Sequence, residues 1–368
     1  MMQLRETLAQ FGPPMRATST KSEELYKGWA YLSVSIIITQ PIPQPGPKQV
    51  QIRITVAGIN PHDQKSRDTG LFIKDDLPSI LANDVAGIVT AIGPKATKFH
   101  IGDRIFAQAG ISPGSTQNGL QQYAVVDEDF AAKVPHGFTD DDGVTLPTNI
   151  IAPLVGLFDQ SGLGIPAPWT EQAKTFDYNG TQILIIGGGS NCGRFAVPCA
   201  KLVGIGKIVV VGGKEEELKK FGATDVLDRH GGHDAVLERI RNVVGDDLVY
   251  AFDAVNAAED QILGLNALSS TKKGKMARLI FSFGSLDESK IVGKQVGYEL
   301  KDVFGSSHLK SEVAMPFWER VGGYLEQGKI IPLSYVVENG LDAATVNAVL
   351  DKYRDGKPVT KTHIHISD

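Results

Sequence analysis

The chain has 368 residues, 42% of them hydrophobic, and a formal net charge of −5 at pH 7. That length calls for two domains with ordinary cores, and the interspersed charges exclude a nucleic-acid or membrane-surface binder built on basic blocks. Two cysteines, Cys192 and Cys199, exclude a disulfide framework and a four-cysteine zinc lobe, and suit a reducing compartment.

The opening MMQLRETLAQFGPP mixes charges and lacks the apolar centre of a signal peptide. No run approaches the ~20 apolar residues of a membrane span. The expectation is a cytoplasmic protein with a small-molecule substrate, no nucleic acid and no membrane. From about residue 30 to 135, YLSVSIIIT, QVQIRITVAG, VAGIVTAIG, DRIFAQ and QQYAVVDE are short and β-branched. Gly, Pro or Asp bounds each of them, which predicts a β-rich barrel or sandwich.

After about residue 150 the pattern changes. TQILIIGGG, KIVVVGG, DLVYAFDAV and ARLIFSFG are apolar with almost no alternation, as strands covered on both faces are. Helix-like stretches separate them. HDAVLERIRNVV, for example, sets Ala235, Val236, Ile240 and Val243 on roughly one face. Strands alternating with helices predict an α/β, doubly wound parallel sheet. In the last sixty residues, Phe317, Val321, Tyr324 and Leu325 mark one helix, and Val346, Val349, Leu350 and Tyr353 another. KTHIHISD alternates as a closing strand, and its histidines and those of RHGGHD read as solvated.

ILIIGGGSNCGRFAV carries the first chemistry. A strand, a glycine-rich turn and a helix start occur in the order a dinucleotide site needs. Side chains in the turn would hold the backbone off the pyrophosphate, and a helix N-terminus attracts the anion. The candidates are Gly187, Gly188, Gly189, Ser190, Asn191, Cys192 and Gly193. Neither hexapeptide frame is complete: from Gly188 the middle glycine is Ser190, and from Gly187 the last is Cys192. The second strand ends in Gly212, Gly213 and Lys214 with no carboxylate, and Arg229 follows the third. Those cations favour a 2′-phosphate and hence NADPH over NADH, while Glu215, Glu216 and Glu217 weigh the other way.

Several segments, in order, resemble the medium-chain dehydrogenase/reductase superfamily: VQIRITVAGINPHDQK, LPSILANDVAGIVTAIGPKATKFHIGDRIFA, NGLQQYAVVDEDFAAKVP, ILIIGGGSNCGRFAVPCAK and KKFGATDVLD. The resemblance implies a GroES-like catalytic domain over 1–150, completed by 311–368, and a Rossmann coenzyme domain over 151–310. The nearest subgroup resembles the zinc-free quinone oxidoreductases and fungal enoyl reductase-like proteins. Zinc-dependent members have cysteine where this chain has Asn60, and His-Glu where it has Asn83 and Asp84, so no metal is expected. The resemblance also implies an NADPH-dependent oxidoreductase acting on an enone, enoyl group or quinone, as monomer or homodimer. A zinc-free carbonyl reductase and a low-turnover NADPH-binding sensor or partner subunit are the alternatives.

Within INPHDQK, Asn60 is a donor to a carbonyl, Asp63 a group to hold it or the nicotinamide ribose, and Lys65 a proton donor. Lys65 matches the lysine of the Asn-Pro-x-Asp-x-Lys pattern of fungal relatives, whose usual preceding aromatic is Gln64 here. Thr148, with Asn149, is expected near the nicotinamide, as is the backbone near Phe283. Ala152-Pro153 replaces the family's usual Thr-Ala.

Overall fold

The structure, a computed structural model, describes residues 2–10, 34–73, 77–110, 116–257, 260–279 and 286–366. Two strands, β1 (Met2–Gln10) and β2 (Val34–Pro41), pair antiparallel. Alternation then shapes β3 (Gln49–Ile59). Val50, Ile52, Ile54 and Val56 are buried, while Arg53 and Thr55 between them are half-buried, because a period of two sends one set to one face. Helix α1 (Pro61–Thr69) follows at once, started by proline at its first position and stopped by Gly70 at φ 72°. β4 (Asp84–Ile92), β5 (Arg104–Gln108), β6 (Tyr123–Asp127) and β7 (Ala131–Lys133) lead to the short helix α2 (Asp140–Val144).

Helix α3 (Pro147–Phe158) opens the alternating half. There follow β8 (Gln182–Ile186), α4 (Asn191–Leu202), β9 (Lys207–Val211), α5 (Glu215–Phe221) and β10 (Asp225–Leu227). Then come α6 (Gly232–Val244), β11 (Tyr250–Asp253), α7 (Ile262–Ala267), β12 (Gly274–Arg278) and β13 (Tyr298–Asp302). Two short helices, α8 (Ser311–Trp318) and α9 (Val321–Glu326), precede β14 (Tyr335–Asn339), α10 (Ala343–Arg354) and β15 (Lys361–His365).

The six strands β10-β9-β8-β11-β12-β13 lie in that order, every pair parallel. Counted from β8 the order is 3-2-1-4-5-6, the doubly wound Rossmann arrangement. Ile183 to Ile186 and Ile208 to Val211 are all buried, as the unbroken apolar runs require. In α6 the buried stripe is Val236, Ile240 and Val244. Steps of four residues fit the helix period better than the expected set, so Ala235 and Val243 flank the stripe.

The other large sheet runs β14-β15-β3-β4-β5-β7, with β6 added on β3. β15 returns from the far end of the chain to pair antiparallel with β3. The chain thus divides into one unit of Met1–Pro147 with Pro332–Asp368, and a second of Thr148–Ile331. The return expected at 311 falls at Pro332, so α8 and α9 go with the second unit. Their contacts explain this: the Trp318 indole N–H donates to Ser307 Oγ at 3.0 Å, and Arg320 lies over the Trp169 ring. Helical spacing announces an apolar face without saying which core receives it.

Candidate functional site

In the second unit, β8 ends directly in the glycine turn. Gly187 has φ 93°, and a Cβ there would stand 2.6 Å from Val255. A Cβ at Gly188 would come within 2.4 Å of Val210, and one at Gly193 within 2.1 Å of the Gly187 carbonyl oxygen. Gly189 differs: it is exposed, and nothing lies closer than 3.6 Å to its added Cβ. The broken frames therefore resolve into a division of labour. Gly187 makes the turn, Gly189 leaves an open approach, and Gly193 lets α4 come close. Ser190 caps α4, its Oγ accepting the Gly193 N–H at 3.0 Å and donating to the Gly187 carbonyl at 2.8 Å. Among the described residues the N–H groups of Gly189 and Asn191 bond to no other protein group. These are the donors a helix start offers an anion.

β9 runs into Gly212 and Gly213, both at positive φ. The Arg229 side chain lies alongside, with its Cδ 3.3 Å from the place of a Gly212 Cβ. Arg229 and Lys214 are exposed. Of the three glutamates that follow, Glu217 faces Arg194 at 3.4 Å, and all three lie in the first turn of α5, where carboxylates suit the helix dipole. The acidic triplet thus has a structural reason of its own. The structure adds Asp253, which the sequence reading missed. Buried at the end of β11, it accepts the N–H groups of Val255 and Asn256 at 3.0 and 2.9 Å. It thereby holds the turn that meets Gly187; a lone Asp ending a strand carries no signal of that. Thr148 and Asn149 lie in the first turn of α3, and Phe283 falls outside the described residues.

In the first unit, the start of α1 is a buried polar knot. Asp63 is 1% exposed and accepts the backbone N–H of Asn60 at 2.7 Å and that of Ala82 at 2.9 Å. Burial pushes its carboxyl above the ordinary range, against the His62 charge and those two bonds. Asn60, 2% exposed, donates through Nδ2 to Asp84 at 2.8 Å, and its Oδ1 accepts the Lys361 ammonium at 2.9 Å. Lys361 also bonds Asp84 directly. Arg67, buried at the other end of α1, pairs with Asp351 of α10 at 2.8 Å and anchors the helix. Lys65, in contrast, is exposed on α1. The structure joins Asn60 to Asp63 and leaves Lys65 outside their network.

Lys361 was missed because KTHIHISD reads as a plain closing strand, and a lysine at the start of so polar a stretch gives no sign of burial. The expectation that these histidines are solvated is corrected for His363, which is fully buried. Its Nδ1 meets Asp141 of α2 at 2.8 Å, and its ring stacks on Tyr335. β15 lies between β14 and β3, which leaves its centre no solvent. Burial drives His363 below its ordinary value, against the Asp141 bond.

Residues 46–136 match the alcohol dehydrogenase GroES-like domain. Dehydrogenase orsE of Emericella nidulans is 28% identical over 343 residues, covering 89% of this chain and 94% of the relative. Trans-enoyl reductase tndF of Aspergillus flavipes is 27% identical, covering 88% and 92%. The structure of mycobacterial Rv1454c complexed with NADPH superposes at TM-score 0.69 and 18% identity, over 99% of this chain and all of that one. Over nearly its whole length the chain is thus similar to dehydrogenases and enoyl reductases of the medium-chain dehydrogenase/reductase type. Where zinc-dependent members of that superfamily carry Cys and Glu, this chain has Asn60 and Asp84, with the Lys361 ammonium bonded to both. An amide oxygen and an already paired carboxylate, facing a fixed positive charge, do not fit a zinc site. Among the described residues no group of three or more His, Cys, Asp or Glu is placed to hold a metal ion, and no helix is long and apolar enough to cross a membrane.

Proposed function

We propose that this protein is a member of the medium-chain dehydrogenase/reductase superfamily and an NADPH-dependent reductase of activated C=C bonds, in enones or enoyl groups, or of quinones. The carrying observation is the Asn60–Asp84–Lys361 knot. Alcohol oxidation and simple carbonyl reduction need strong help with a hydroxyl proton, which zinc gives its relatives. Conjugate reduction needs less: negative charge spreads from the β-carbon onto a carbonyl oxygen, and hydrogen-bond donors stabilise the enolate. Asn60 is the donor assigned to that oxygen. Its Nδ2 has two N–H groups, and one of them meets Asp84. Asp63 holds the Asn60 backbone in place. Lys65 is assigned the proton that reaches the α-carbon, since its exposed ammonium is free of that knot.

The second unit fits NADPH. Gly187 to Gly193 receive the pyrophosphate, and Lys214 and Arg229 receive the 2′-phosphate at a β9 end that bears no carboxylate. Thr148 and the backbone near Phe283 are assigned to the nicotinamide. The bound cofactor supplies hydride; the chain's residues orient the acceptor and place a proton. The relatives named trans-enoyl reductase and dehydrogenase support this reading, as does the NADPH complex of similar fold. The test is product analysis. Purified protein with NADPH is offered an enone, a quinone and a simple ketone. A saturated ketone from the enone, or a hydroquinone, is the expected product. Allylic alcohol would mean a carbonyl reductase, and tight NADPH binding without turnover a binding protein.

A further inference from the structure

Lys361 is the most anomalous side chain in the first unit. Its side chain is 1% exposed, and its partner Asp84 is fully buried. A buried ion pair is weak as a stabilising device, because desolvation offsets most of the attraction. A leucine would cover this strand position at lower cost. The surrounding chain nevertheless makes room for the ammonium. A Cβ on Gly58 would stand 2.9 Å from Lys361 Nζ, 3.1 Å from Asp84 Cβ and 2.6 Å from Val144 Cγ1. Gly58 has ordinary strand backbone, so its missing side chain is explained by this space and not by a turn. Three sequence-distant strands thus build one slot: β3 omits a side chain, β4 supplies the carboxylate and β15 the cation.

The slot acts on Asn60. A side-chain amide has two ends of nearly equal size, and only its partners decide which faces where. Here the ammonium can only donate and so takes Oδ1; the carboxylate can only accept and so takes Nδ2. The amide is locked in one orientation. Donation to Oδ1 also draws electron density from the amide and makes its remaining N–H a better donor.

We propose that Lys361 is a positioning residue for reduction: it fixes and polarises the Asn60 amide so that its free N–H meets the developing oxyanion, in a slot kept open by Gly58. This rests on the proposed assignment of Asn60 to the substrate carbonyl. Lys361 acts through Asn60 and does not itself touch substrate.

The test uses full-length Lys361→Met, which keeps length and loses charge, and Lys361→Arg, which restores charge. Lys361→Met should lower kcat for an enone by about ten- to a hundredfold, the usual cost of removing a group that orients a reacting one. The NADPH Kd should stay unchanged and the enone KM nearly so, because the cofactor residues lie in the other unit. Lys361→Arg should recover part of kcat. Lys361→Met leaves the buried Asp84 carboxylate without the Lys361 ammonium, so the double variant Lys361→Met/Asp84→Asn is made alongside, removing both charges together. A folded double variant with wild-type kcat overturns the proposal.

A second readout separates this claim from the functional one. In protein labelled with 15N-asparagine, the Asn60 side-chain signals, assigned by Asn60→Ala, should shift in the double variant and largely return in Lys361→Arg. Should wild-type protein reduce none of the three substrates, the functional reading fails. Unchanged Asn60 signals in the double variant overturn the positioning claim in either case.

Discussion

Asn60, Asp63 and Lys65 lie within six residues of one another, yet they have different standing. Asp63 spends both carboxylate oxygens on backbone N–H groups, so its chemistry is to fasten the start of α1. Asn60 is held at both ends of its amide. Of the three, only Lys65 is exposed. Its assigned role gives a direct expectation. Lys65→Ala should lower kcat by about a hundredfold, the scale of losing a general acid, with NADPH affinity intact. Steady-state kinetics with the enone checks this, and full turnover would move the proton donor elsewhere. The motif INPHDQK names these residues; burial sorts them. No spacing rule could do that, since the α1 stripe that faces inward carries Asp63, Ser66 and Arg67, all polar.

At the scale of elements, the turn between β8 and α4 separates packing glycines from binding glycines. Gly188→Ala would press a Cβ to 2.4 Å from Val210 and 2.6 Å from the Gly212 carbonyl oxygen. It should cost about 1–3 kcal/mol in urea unfolding, as overpacking does. Gly189→Ala meets nothing closer than 3.6 Å. It should leave stability within about 0.5 kcal/mol and still weaken NADPH severalfold in a fluorescence titration, because the methyl group intrudes on the open approach. The loop after β9 sets the choice of cofactor. Replacing Lys214 and Arg229 together with Ala should weaken NADPH at least about tenfold while leaving NADH nearly unchanged, as losing two charge-assisted contacts to one phosphate would do. Equal loss for both cofactors would remove the 2′-phosphate assignment.

Across the whole molecule, the first unit is closed by a strand from the end of the chain. β15 is fastened there by Lys361 to β4 and by His363 to Asp141 of α2. His363 is held neutral by burial, below its ordinary 6.5. The unfolded chain then takes up a proton on this ring before the folded chain does. Stability from this site is complete above about 6.5 and is lost as pH falls through the window below it. The Asp141 carboxyl points the same way. Burial raises it, but the His363 and His365 bonds prevail and hold it below 3.8, so its contribution too is lost on acidification. The wild-type urea midpoint should fall between about pH 7.5 and 5.5, and His363→Gln should flatten that fall. A slope unchanged in the variant would place the acid sensitivity elsewhere.

Local pattern alone determined the two-part architecture, the strand runs on either side of the glycine turn, a helix start directly after that turn and the cations after β9. Each of these is a statement about neighbours within one or two turns of chain, where backbone periodicity and turn chemistry act. Which glycine serves packing and which stays open depended on Val210, Val255 and Gly212 arriving from other strands. The place where the chain re-enters the first unit depended on where Trp318 and Arg320 found partners. The slot that joins Gly58, Asp84 and Lys361 had no signature along the chain, because a buried charge is tolerable only against the opposite charge that folding brings to it. Proximity in sequence sets conformation, but only tertiary packing decides which polar groups are taken out of water together.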